Sequence, residues 1–154
     1  MLQYMSHHMQ LVHLIWAWSG NILAVLVSGW ALWRGGAPER WGAVLLLVGW
    51  FLSAVLQSHD GHGPGIIVIL IDIVCLIAFT ILSLWSRRIW TIFLAAFQLD
   101  AVMSHFAVGL SGHIGGWAYV TALGIWGGFG LVFALAGGMI WPALPNTALR
   151  QHNT

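Results

Sequence analysis

The chain has 154 residues, of which 60% are apolar and 6% charged, with a formal net charge of +1. Soluble domains carry about 25% charged residues, so this composition excludes water as the main solvent and predicts an integral membrane protein. The length suffices for about five spans of roughly 20 residues each and leaves no room for a sizeable soluble domain.

Residues 1–12 (MLQYMSHHMQLV) contain no Lys or Arg and no continuous apolar core before a small-residue cleavage site. A cleaved signal peptide is therefore not expected, and the first span itself should direct insertion. Five apolar runs follow, at about 12–33, 41–57, 66–85, 89–108 and 117–141. The second is short for a crossing and should borrow flanking residues. The connections RGGAPER, QSHDGHGPG, SRR and GLSGHIGG are rich in Gly, Pro, Ser and charge, as helix ends require. Continuous runs such as Ile66–Ile71 lack the alternation of a β-barrel. The expected fold is all-α, a compact bundle of about five transmembrane helices forming a single domain over residues 1–154.

Cationic residues near span ends remain on the cytoplasmic side. With five spans, Arg34 and Arg40 fall in the first loop, Arg87 and Arg88 in the third, and Arg150 in the tail, all on one side. The chain has no lysine to oppose this, so the expected orientation has the N-terminus outside and the C-terminus cytoplasmic, in a bacterial inner membrane. Trp33, Trp41, Trp85, Trp90 and Trp141 then mark inner span ends and Trp16, Trp18 and Trp117 outer ones, where indole prefers the headgroup region.

This topology puts His7, His8, His13, His59, His62, His105 and His113 on or near the outer face and only His152 inside. Imidazole is a common ligand of divalent metals and haem iron, although polar loop composition accounts for single histidines equally well. His59, Asp60 and His62 share a Gly- and Pro-containing loop in which they could converge on a divalent cation. His13 and His105 lie near the outer ends of the first and fourth spans, with small residues nearby, an arrangement open to b-type haem. The plainer reading is two interfacial histidines facing headgroups or water.

Asp72 and Asp100 are the charged residues expected inside spans. An ionisable group in hydrocarbon costs several kcal/mol unless it is partnered or neutral. Asn21, Asp72 and Asp100 reach similar depths in the outer half, roughly 9–13 Å from span ends, and with Gln98 and Ser104 make a candidate polar cluster. Gln98 and His105 are seven residues apart and share a helical stripe; Asp100 and His105 are about 140° apart and do not. Asp100 is expected to pair with Ser104 or with a depth-matched group on another helix. Two carboxyls sharing a proton would suit a proton carrier or cation site, and polar glue between helices is the structural alternative.

Gly124, Gly128, Ala134 and Gly138 give the last span small-xxx-small spacing, suited to close helix packing within the chain or between subunits. Cys75 is the single cysteine, three residues from Asp72, and reads as inert packing. No phosphate-cradling loop, nucleophile elbow or basic patch is present, so nucleophilic catalysis and nucleic-acid binding are not expected. Three functional readings follow. The first is an accessory or assembly subunit held in the lipid bilayer, packed against other membrane subunits or its own copies. The second is a haem- or metal-binding protein using the outer histidines. The third is a small proton-coupled transporter using Asp72 and Asp100.

Overall fold

The structure, a computed structural model, describes the backbone of residues 2–57, 65–111 and 116–140, and side chains within 18–57, 65–107, 118–119 and 121–140. It is a bundle of helical rods with no strand among the described residues. The first helix, α1 (Leu2–Arg34), has 33 residues and is about 50 Å long, so the N-terminal segment continues the first span as one rod. Gly35 and Gly36 end it, and Pro38 starts the next helix, α2 (Ala37–Leu56), where a missing N–H costs no bond. α2 thus takes its extra length from the RGGAPER connection.

Helix α3 (Ile66–Ser86) follows Gly65, whose φ of 84° suits glycine, and stops at Arg87, which adopts φ 52° and ψ 34° and donates its N–H to Ser83 O. Helix α4 (Ile89–Ser111) begins two residues later. At this tight corner the Thr91 hydroxyl donates to Arg88 O at 2.6 Å and lies 3.0 Å from the Ser86 hydroxyl. The last rod is α5 (Gly116–Leu123), a π-helical segment (Gly124–Gly130) and α6 (Leu131–Ile140), run end to end. The wider segment coincides with the glycine-rich sequence GIWGGFG.

Successive helices pack side by side, and α6 closes the bundle against α1, α2 and α4. Its residues Leu131, Val132, Ala134, Leu135 and Gly138 are buried among Ala24, Ala31, Ala43, Leu46, Phe79 and Leu94. Small residues let α6 lie so close: a Cβ on Gly138 would come within 2.5 Å of the Trp90 ring, and one on Gly42 within 3.3 Å of it. Of the small residues of the last span, Gly128, Ala134 and Gly138 are buried within the chain.

The outside is as apolar as the inside. Leu84 is 73% exposed, Ile66 68% and Phe51 68%, which a soluble monomer does not tolerate as a continuous surface. Four helical stretches, Ala37–Leu56, Ile66–Ser86, Ile89–Ala107 and Thr121–Ile140, are long and apolar enough to cross a membrane.

The loop ends are tied together at one point. Arg88 Nη1 donates to Glu39 Oε1 at 2.5 Å, joining the start of α2 to the start of α4. Glu39 is buried and its Oε2 has no hydrogen-bond partner among the described residues. This bond places the first and third connections, with their arginines, at the same end of the bundle.

Candidate functional site

At the opposite end, α3, α4 and α5 bring four polar side chains together. Asp72 is six residues into α3 and His105 is six residues before the end of α4, so each lies about 9 Å from its helix end. The two helices pack on one another and run antiparallel, which matches the two depths. His105 Nε2 is 2.7 Å from Asp72 Oδ2. Two turns deeper on the same stripe of α4, Gln98 Nε2 donates to Asp72 Oδ1 at 3.0 Å and to the Asp72 carbonyl at 3.2 Å. From α5, the Tyr119 hydroxyl reaches His105 Nδ1 at 2.5 Å, its ring set edge-on to the imidazole.

Gln98, His105 and Tyr119 are all buried. The side chain of Asp72 keeps 20% exposure against 1% for His105, so the carboxyl is the point of contact with the outside. Donor and acceptor counting allows one arrangement as follows, the roles of the two ring nitrogens depending on the tautomer. With neutral imidazole, Nε2–H donates to Asp72 and Nδ1 accepts from Tyr119, while Gln98 can only donate its amide hydrogens to the second carboxylate oxygen. Both carboxylate oxygens and both ring nitrogens are then engaged, and in this arrangement the cluster carries one negative charge. A single added proton neutralises it. Tyr119, His105 and Asp72 thus form a continuous chain of hydrogen bonds.

The other expected cluster members lie elsewhere. Asp100 is on the exposed side of α4, away from Asp72, and the Ser104 hydroxyl donates to the Asp100 backbone carbonyl at 2.8 Å rather than to its carboxylate. Asn21 is on an exposed face of α1, a helix that packs on α2 and α6. The expected Asp72–Asp100 pair is therefore not formed: depth places the two alike, but the direction each faces around its helix separates them. Cys75, one turn beyond Asp72, lies against Gly49 of α2 and is half-buried.

His59, Asp60 and His62 fall outside the described residues, as does the side chain of His13. Both ring nitrogens of His105 are engaged by Asp72 and Tyr119, so ligation of iron would require breaking one of those bonds. Among the described residues no group of three His, Cys, Asp or Glu side chains could hold a metal ion.

Tyr119 of this site and Glu39, a buried carboxylate at the opposite end of the bundle, were not anticipated from the sequence. Tyr119 lies only three residues, about 4.5 Å, into α5, and its long side chain reaches the deeper His105. Glu39 was legible only as an acidic residue beside a proline. Comparison with protein-family models, curated proteins and solved structures finds no match to this chain.

Proposed function

We propose that the protein is a small multi-pass membrane protein that binds and releases a proton at the Asp72–His105 pair and works as a proton-coupled transporter. The reading includes a bacterial inner-membrane location, with the arginine-bearing end cytoplasmic and the site at a histidine-rich outer face. One observation carries it: a carboxyl and an imidazole, 2.7 Å apart, lie within apolar spans and continue to a buried tyrosine hydroxyl. A carboxyl and an imidazole in direct contact offer one exchangeable proton, and gain or loss of that proton changes the charge of the site by one.

The test is proton entry into liposomes containing the purified protein, driven by a potassium diffusion potential and read with a trapped pH dye. Wild-type protein should accelerate entry, and Asp72→Asn and His105→Gln should both remove the acceleration. Entry unchanged by both substitutions, in protein that remains folded, rules out the mechanism and leaves the network as glue between α3, α4 and α5.

A separate observation favours a role as a subunit of a larger membrane assembly. Asp100 is at the middle of α4 and faces outward from the bundle, a position where lipid gives a carboxylate no partner. A helix of another polypeptide carrying a donor or cation at that depth would supply one.

A further inference from the structure

Between α4 and α6, at the arginine-bearing end, a groove of about 660 Å³ opens on the flank of the bundle. Trp90, Phe93 and Phe97 line it from α4, and Phe133 and Gly137 from α6. Its mouth is formed by Arg87 and Arg88. We propose that this groove is a binding site for an acidic phospholipid, with the phosphate on the arginines and one acyl chain along the aromatic wall.

The shape and the charges suit that occupant together. From Arg88 to Phe97 the groove follows α4 for nine residues, about 13 Å, which accommodates the upper part of an acyl chain. A Cβ on Gly137 would meet nothing within 4 Å, so the glycine leaves a recess in the wall. Of the two cations, Arg88 is held by Glu39 and its charge is already compensated. Arg87 is exposed and meets no carboxylate among the described residues, which leaves one free positive charge for the single negative charge of a phosphodiester. Guanidinium also matches phosphate through two parallel hydrogen bonds. Arg87 further occupies the left-handed backbone conformation, with φ 52°, where glycine or asparagine is the unstrained choice.

The zwitterionic phospholipids of the bilayer offer the same tails and a phosphate offset by an amine, so preference between headgroups is the decisive measurement. Full-length protein in mixed micelles is titrated with phosphatidylglycerol or phosphatidylcholine and examined by native mass spectrometry. Wild-type protein should retain one phosphatidylglycerol with about fivefold preference, the effect of one cation near the headgroup. Arg87→Gln should remove the preference while leaving binding of either lipid, and Gly137→Leu should remove binding of both. Equal retention of the two lipids by the wild type overturns the proposal even if the variants fail to fold. A preference untouched by Arg87→Gln also overturns it, and stoichiometric uptake of inorganic phosphate without lipid would show an anion site instead of a lipid site.

Discussion

A carboxylate inside a membrane-spanning helix is tolerated where neighbouring groups replace water, and Asp72 has a partner for each oxygen, one from His105 and one from Gln98. Tyr119 completes the imidazole. Tyr119→Phe should therefore leave Nδ1 of His105 buried without a donor and destabilise the fold by about 0.6–1.5 kcal/mol, measured by reversible unfolding in detergent. A loss of stability below detection would mean that the hydroxyl is not part of the network. The Glu39–Arg88 bond gives an asymmetric prediction. Arg88→Ala strands a buried carboxylate, whereas Glu39→Gln frees an arginine whose side chain is 43% exposed and rehydrates readily. The first should cost more than the second by on the order of 1–3 kcal/mol, and equal losses would contradict the burial of Glu39. Part of the site was readable in the sequence: the seven-residue interval put Gln98 and His105 on one stripe, whereas depth counting matched Asp72 with Asp100 and Asn21 and not with His105. Facing was not readable for Asp100, because depth along a helix says nothing about which neighbour lies beside it. Tyr119 could join the site only once α5 was known to pack on α4.

At the scale of the helix, small residues decide where two rods may touch. The small-xxx-small pattern of the last span indicated a close-packed face, and the arrangement of the bundle assigns that face to neighbours within the chain, with Gly138 on Trp90. What the spacing could not supply was the partner, since the same pattern serves contacts within and between subunits. Adjacent glycines make the point testable. Gly138→Ala forces a methyl against the Trp90 ring and should cost about 1–3 kcal/mol, as overpacking does. Gly137→Ala enters open space and should be neutral or stabilise by up to about 0.5–1 kcal/mol, because glycine is a poor helix residue. Thermal unfolding of the two variants in one detergent separates them, and similar behaviour would place Trp90 elsewhere. The π-helical segment had no sequence signature beyond its glycines; apolar periodicity predicts a helix there without saying how tightly it is wound.

For the molecule as a whole, the outer surface is almost wholly apolar, and that makes the exposed carboxylate of Asp100 the feature needing a partner from outside. Among the described residues, a second copy of this chain offers no arginine at that depth. Arg34, Arg40, Arg87 and Arg88 all sit at helix ends, whereas Asp100 is eleven residues beyond Ile89 in a 23-residue helix. The exposed residues beside it on α4, Ala96, Met103 and Ala107, include two alanines, which would let another helix approach closely. Asp100→Leu should then act in opposite directions on two measurements. The isolated protein should gain stability, because an Asp at a helix centre costs about 2.5–3.5 kcal/mol relative to the membrane exterior and leucine is favourable there. In membranes solubilised mildly from the native host, the same substitution should abolish migration in a larger complex on native gels, while the conservative Asp100→Asn should weaken it only in part. A gain in stability with migration unchanged would show that Asp100 faces lipid and serves no assembly, and the subunit reading would then be lost while the proton site at Asp72 stood untouched.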